Sequence, residues 1–412
     1  MEFRLHFLFT TMFKRKTGKP RVYTLQFFLL CLSSFLFFGS FNMIVPDLYD
    51  YITSLGGGEY KGLIISLFTV TAGLSRPFSG KLSDTIGRIP VMIFGAAVCF
   101  VMGFLYPMVS TVWALLLLRF LHGFSTGFKP TGTSAYIADI VPSHRRGEAM
   151  GFSGLFGSLG MAAGPAIGPK ISEAYGLDIM FYTSSVVAIM SVLILIGMKE
   201  TLENKVKFTP KLLKINWGDV IEPRVFNPSV LFLLTAFSFG AVLTLVPDLT
   251  MQLGYSQGDK GIFFTVFVIS SLFIRLLAGK ASDKYGRVIV LKVATLAILA
   301  SDILIAFTHT PFMLMVSAVA FGVSVGMNTP TIYAWTIDLS QDHKRGKGLA
   351  TMYIALEIGI GLGAFITGAI YANQIENLRE AFLLCGALSF IGFLFLTFGL
   401  NWSKRFVKTE QE

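Results

Sequence analysis

"GKLSDTIGR" at residues 80–88 and "GKASDKYGR" at residues 279–287 are one polar turn written twice, 199 positions apart. Each copy stands between long apolar runs. The match extends beyond the turn. At the same offset Arg76 corresponds to Arg275 and Gly164 to Gly363, and "DIVPSHRRG" (139–147) corresponds to "DLSQDHKRG" (338–346). Pro46-Asp47 and Pro247-Asp248 match at an offset of 201. The chain therefore reads as a duplicated unit.

Composition says where such a unit resides. The 412 residues are 53% hydrophobic and only 14% charged, against about a quarter charged in soluble domains. The deficit runs along the whole chain, which excludes a soluble domain on a single anchor. Forty Phe and 41 Gly suit helices packed closely in lipid, where small residues let backbones approach. The net charge of +10 fits nucleic-acid binding or cationic loops beside a membrane, and its placement favours the loops, with no nucleic-acid partner expected. Cys31, Cys99 and Cys385 lie in apolar stretches without metal or disulfide spacing, so they read as packing residues and no metal site is expected. The N-terminal stretch lacks the order of a signal peptide, because its cations follow the short apolar run. Met12 opens a more typical cationic start, so residues 1–11 read as an extension or a mis-called start.

A bilayer-crossing helix needs about 20 apolar residues. Twelve such stretches are centred near residues 35, 72, 99, 124, 157, 187, 238, 270, 298, 324, 358 and 391, called spans 1 to 12 below. The predicted class is an all-α polytopic membrane protein. A polar, basic link over residues 199–227 separates a six-helix unit at 22–198 from a second at 228–403, with an N-terminal segment at 1–21 and a tail at 404–412. Of the Lys and Arg residues, only Lys61, Lys170, Lys260 and Arg379 fall on links of one side, and Arg76, Arg119, Lys129 and Arg275 lie within spans. All others fall on the opposite side, which places both termini and the 199–227 link in the cytoplasm. The sequon Asn401-Trp402-Ser403 then stays unmodified. Six spans are an even number, so the two units share one orientation.

With twelve spans, a central link and a doubled turn, residues 22–403 resemble the major facilitator superfamily. Its loop motif, Gly-x-x-x-Asp-Arg/Lys-x-Gly-Arg/Lys-Arg/Lys, is matched by Gly80, Asp84, Gly87 and Arg88, and again by Gly279, Asp283, Lys284, Gly286 and Arg287. Thr85 stands where a cation is usual, and Ile89 and Val288 replace the last basic residue. The glycines permit a tight bend, the aspartates can accept hydrogen bonds from a helix start, and Arg88 and Arg287 can pair with Asp139 and Asp338. A loop that only fixes topology is one reading. The resemblance favours a conformational latch joining the halves on the cytoplasmic side.

Ionisable groups inside spans are costly and are functional candidates by default. In span 4, Arg119, His122, Thr126, Lys129 and Thr133 are spaced 3, 4, 3 and 4 apart, within an arc of about 80°. Such a face must look onto water or protein. A cavity wall is the reading favoured here over a buried helix–helix network. "RFLHG" (119–123) resembles the superfamily's Arg-x-x-Gln-Gly motif, whose Arg is linked to proton transfer, with His122 replacing Gln. Lys129 and Pro130 correspond to Asn328 and Thr329 in the second half, so Lys129 is an asymmetry the duplication did not require. In span 5, Gly160, Gly164, Pro165 and Gly168 resemble the antiporter-type motif Gly-x-x-x-Gly-Pro-x-x-Gly-Gly, with Pro169 in place of the last Gly, although ordinary small-residue packing would look similar. Glu357 in span 11 is the candidate proton site, with Lys129 a candidate facing cation. Asp302 in span 9 reads as structural, and Arg76 and Arg275 as cations snorkelling to the cytoplasm. Asn42, Asn328, Tyr333 and Trp335 are weaker candidates for ligand contact.

The expected function is secondary active transport by alternating access: proton-coupled export of a small organic or amphipathic molecule, in the drug/proton antiporter manner. Uptake of a small organic anion clamped by Lys129 and Arg119 is the alternative, and a non-transporting receptor a remote one. No enzyme chemistry is expected, because no nucleophile–base set or nucleotide motif is present. No cofactor is expected beyond a proton gradient. The expected partners are a small-molecule substrate and the lipid bilayer of the cell (inner or plasma) membrane, and the chain is expected to be a monomer.

Overall fold

The computed structural model describes residues 23–142, 145–215, 220–340 and 345–400. The N-terminal segment, residues 1–11 within it, the sequon, the 404–412 tail and parts of the 142–146, central and 340–345 links lie outside the described residues. Those described form helices joined by turns and by a largely irregular central link, with no strand. Span 1 is Leu25–Met43 continued by Val45–Ser54, span 2 Lys61–Thr85, span 3 Arg88–Leu105, span 4 Val112–His122 continued by Phe124–Ile140, span 5 Arg146–Tyr175 and span 6 Leu177–Ile196. The second half repeats the order as Phe226–Gln252, Ile262–Tyr285, Arg287–Ala306, Pro311–Leu339, Arg345–Tyr371 and Leu378–Leu394. Ten of these helical stretches are long and apolar enough to cross a membrane. Spans 2 and 4 are helical as well but carry too much polarity to qualify, which is consistent with burying their polar faces against protein.

The outer surface is apolar, and the apolar interior carries buried polar groups between its helices. Trp113, Phe273 and Phe312 are 68%, 74% and 77% exposed, and Phe94, Leu117 and Ile196 are also outside, a surface made for hydrocarbon. Inside, serines tie the helices together. Ser33 meets Ser191 at 2.8 Å and Ser40 meets Ser184 at 3.2 Å, joining spans 1 and 6. Ser238 of span 7 and Ser389 of span 12 both donate to Asp302, at 2.7 and 3.3 Å. Asp302 is fully buried, an acid held by hydroxyls inside one helix bundle.

The duplication is visible in how helices begin. Thr111 caps span 4 by accepting from the Ala114 amide at 3.3 Å, and Thr310 caps span 10 by accepting from Met313 at 3.2 Å. Such caps satisfy helix-start N–H groups that nothing in lipid would. Gly87 and Gly286, with φ of +128° and +90°, turn the chain into spans 3 and 9. Small residues then set helix separation. Gly160, Gly164 and Gly168 of span 5 lie directly on the span 1 backbone at Phe35, Gly39 and Met43. Gly359 and Gly363 of span 11 lie on Leu233 and Phe237 of span 7 in the same manner. The antiporter-type stripe is thus a close-packing surface here, and its counterpart in the second half does the same work without the proline.

The repeated turns close within their own halves. Arg88 pairs with Asp84 at 2.6 Å and Asp139 at 3.0 Å, and Arg287 pairs with Asp283 and, at 2.9 Å, with Asp338. Glu200, the start of the central link, accepts from the amides of Arg88 and Ile89 at 3.1 and 3.0 Å, capping span 3. The first turn is therefore locked by a carboxylate that has no counterpart at the second among the described residues. A side chain at Gly87 would strike Glu200, whereas one at Gly286 has open space. Both positions carry backbone strain of about 1–3 kcal/mol for a non-glycine residue. Gly87→Ala should therefore lower the melting temperature in detergent by clearly more than Gly286→Ala, and equal shifts would remove the Glu200 cap as the reason.

Candidate functional site

Two of the sequence-predicted groups prove to face different surroundings from those expected. The charged side of span 4 points into its own half. Arg119 is fully buried, donates from Nε to the Ile64 carbonyl at 2.9 Å and lies 4.6 Å from the Phe68 ring centroid, both on span 2. His122 is fully buried between the Tyr106 hydroxyl at 3.2 Å and the Cys99 sulfur at 3.4 Å. Lys129, also fully buried, donates to Ser34 of span 1 at 2.7 Å and lies 5.4 Å from the Phe37 ring. Thr126 and Thr133 bond back to the carbonyls of Gly123 and Lys129, at 3.3 and 2.9 Å. In this conformation the face is a buried helix–helix network and does not wall a cavity. The arc was legible in the sequence, but which way it turned depended on Gly95 of span 3, against whose backbone position Lys129 packs.

The second difference concerns Arg76 and Arg275, which do not snorkel. Arg76 of span 2 reaches across the seam between the halves and pairs with Glu357 of span 11 at 2.5 Å, with both side chains 9% exposed. Tyr353 of span 11 stacks on the same guanidinium, 4.4 Å from its ring centroid. Tyr333 of span 10 meets Tyr353 edge-on at 5.5 Å. The cation facing Glu357 is thus Arg76, not Lys129. Arg275 of span 8 stands on the other flank of the seam and donates to Ser158 of span 5 at 3.4 Å. These residues form the centre of the inter-half surface and are the candidate functional site.

The remaining candidates have local roles. Asn42 donates to the Phe38 carbonyl at 2.8 Å. It also borders a small apolar pocket with Val45, Met161, Pro165, Phe239 and Phe264. Asn328 donates to Thr235 at 2.9 Å, leaving its own side-chain oxygen buried without a partner among the described residues. Trp335 is packed in a cluster with Leu231, Phe232 and Ile332.

What sequence reasoning missed lies at the end of the seam away from the central link. Lys61 of span 2 pairs with Asp248 of span 7 at 2.5 Å, and Tyr371 donates to the same carboxylate at 2.9 Å. Lys260 at the start of span 8 pairs with Asp47 of span 1 at 3.2 Å and with Asp50. Lys61 and Lys260 correspond at the offset of 199, as Asp47 and Asp248 do at 201. Each half therefore lends a lysine to the other half's aspartate. Around them the backbones touch, Gly62 against Ala364 and Gly261 against Pro165. Among the described residues no ion pair joins the halves on the link side, where the arginines of the repeated turns stay at home. The signal was present in the sequence as matched offsets, but it had been read as loop charge and a helix end.

Breaking one partner of a buried pair costs about 3–5 kcal/mol, so Lys61→Ala or Lys260→Ala should loosen this end. With Ser66, which donates to the Gly361 carbonyl across the seam at 2.9 Å, replaced by Cys as reporter, maleimide labelling from the far side should speed up several-fold. The exchange Lys61→Asp with Asp248→Lys should slow it again. Labelling indifferent to all three would mean that the pairs do not hold the seam shut.

Comparison with known proteins gives this geometry its context. The quinolone resistance protein NorA of Staphylococcus aureus is 26% identical over 361 residues, covering 85% of this chain and 91% of NorA. The multidrug resistance protein MdtG of Escherichia fergusonii is 26% identical over 371 residues, covering 86% and 89%. In fold, the chain is similar to the human organic anion transporter MFSD10 (TM-score 0.71, 18% identity, 91% of this chain and 100% of that one). It is similar also to a D-xylose–proton symporter (TM-score 0.73, 16% identity, 90% and 96%). The sequence profile of the Major Facilitator Superfamily matches residues 30–258 and 228–411. That match spans nearly the whole chain: the chain belongs to the Major Facilitator Superfamily, a multi-pass membrane transporter of small molecules.

Proposed function

We propose that this protein is a proton-coupled exporter of small organic or amphipathic molecules. The observation that carries the reading is the buried Arg76–Glu357 pair across the seam. An ion pair so poorly exposed to water contributes favourably only while both partners stay charged and in register. A proton on Glu357 removes the attraction and leaves Arg76 without its partner. Protonation and the contact between spans 2 and 11 are thus linked, and a ligand shifts a conformational balance only by binding one state more strongly. Arg119 and His122 contribute from inside the first half. Arg119 holds span 2, the helix carrying Arg76, by the Ile64 carbonyl and the Phe68 ring. The resistance proteins named above support export.

In this reading the link side, with both termini, is cytoplasmic, the membrane is the cell (inner or plasma) membrane, and the working unit is a monomer. The energy comes from the proton gradient, with no further cofactor and no nucleic-acid partner. The halves, residues 22–198 and 228–403, rock about the seam. The crossed lysine–aspartate pairs close the outer face in the state described, and the paired turns, with Asp84, Arg88, Asp283 and Arg287, serve as the cytoplasmic latch in the opposite one.

Everted vesicles with an imposed pH gradient test the coupling. Glu357→Gln should lose gradient-driven accumulation of a fluorescent cationic dye by about tenfold or more, while dye exchange without a gradient persists. Gradient-driven transport at the wild-type rate would remove Glu357 from the coupling role.

A further inference from the structure

The duplication relates the two arginines of the seam, and it also relates what faces them. At the offset of 199, Arg76 corresponds to Arg275, Glu357 to Ser158 and Tyr353 to Gly154. The structure preserves the contact in both copies: Arg76 meets Glu357, and Arg275 meets Ser158. One copy is complete, with a carboxylate against the guanidinium and a tyrosine over its face. In the other copy both partners are cut back. Ser158 offers a hydroxyl at 3.4 Å where symmetry places a carboxylate, and a side chain added at Gly154 would meet nothing within 4 Å. Gly154 and Ser158 are four apart on one helix face, so both truncations fall on the side of span 5 that meets Arg275.

The charge balance follows the same line. Arg76 is neutralised by Glu357, but among the described residues no carboxylate lies within ion-pair distance of Arg275, whose Nε is buried without a hydrogen-bond partner. An uncompensated guanidinium within a membrane-embedded seam is costly, and its planar array of donors matches a carboxylate or another compact oxyanion. Arg275 is only half-buried and Ser158 likewise, whereas Arg76 and Glu357 are sealed. The vacant copy is therefore also the more accessible one.

We propose that Arg275, with Ser158 and the space beside Gly154, is the site that binds an anionic group of the transported molecule, a carboxylate or equivalent oxyanion. The ligand's acid occupies the place that Glu357 fills in the symmetric copy. This deepens the export reading by naming a chemical class for the substrate: an amphipathic acid or zwitterion, read by its negative group. A proton at Glu357 and an anion at Arg275 would then act on two copies of one inherited contact, on opposite flanks of the seam.

The test uses the purified full-length protein and matched probes: norfloxacin, naphthylacetic acid and cholic acid, each beside its methyl ester, plus ethidium as a cation without an acid. Thermal stabilisation should be given by at least one free acid and be weaker with its ester. Arg275→Gln should weaken that acid about tenfold or more, as expected for a lost charged hydrogen-bond partner, and leave ethidium within about twofold, as no charge contact to it is removed. Ser158→Glu, which restores the missing carboxylate, should exclude the acid in the same way. Arg275→Lys should recover part of the binding. Acids binding no better than esters, or binding unaffected by both Arg275→Gln and Ser158→Glu, would overturn the assignment. If esters or ethidium are still accumulated by everted vesicles under a pH gradient in that event, the export reading stands without it. If no probe is driven by the gradient at all, the export reading fails, whatever the acids do in the thermal assay.

Discussion

Charge inside a membrane protein has to be answered by charge or by dense hydrogen bonding, and this requirement organises the seam. On the inter-half surface, the described residues include the buried cations Lys61, Lys260 and Arg76 and the half-buried Arg275. Three of them are answered by an acid from the opposite half: Lys61 by Asp248, Lys260 by Asp47, and Arg76 by Glu357. Because the answers come from across the seam, the halves cannot part without exposing or re-pairing them. The same contacts that hold this conformation are therefore the ones that any other conformation must exchange. Ion pairs of this kind are poor sources of net stability but good markers of state, since each must be broken or exchanged when the halves part.

The inherited symmetry explains why the closure is crossed. A duplicated unit with a lysine at the start of its second span and an aspartate at the end of its first can satisfy both only by exchange between copies, as Lys61 and Lys260 do. Departures from symmetry are then informative. Asp302 stands where the first half has Gly103, which packs on Ser185, and it is accommodated by two serines. Lys129 stands opposite Asn328, and is accommodated by Ser34. Both are answered within one bundle and so belong to its internal structure in the state described. The exchange of Glu357 for Ser158 differs, because it leaves its arginine facing a hydroxyl on the surface between the halves.

Much was legible before any coordinates. The doubled turn, the twelve apolar runs and the acids that Arg88 and Arg287 choose all follow from offsets and spacing, because a helix start needs a cap and a tight turn needs glycine whatever the tertiary arrangement. The arc of span 4 was legible as an arc. Its direction was not, since helical periodicity gives the angle between residues but no absolute rotation, and Lys129 turned towards Gly95 and Ser34 because space and a hydroxyl were there. Arg76 was misread for a related reason: distance from the helix end suggested snorkelling, and the alternative partner lay 281 positions away.

Sequence alone determined that this chain is a duplicated, membrane-embedded helical protein with two like-oriented halves, because repetition and hydropathy are properties of the chain itself. Only tertiary structure decided which charges meet. Pairing across the seam depends on two halves brought face to face, and residues such as Lys61 and Asp248, or Arg76 and Glu357, acquire their relation only when packing has removed the water that would otherwise separate them.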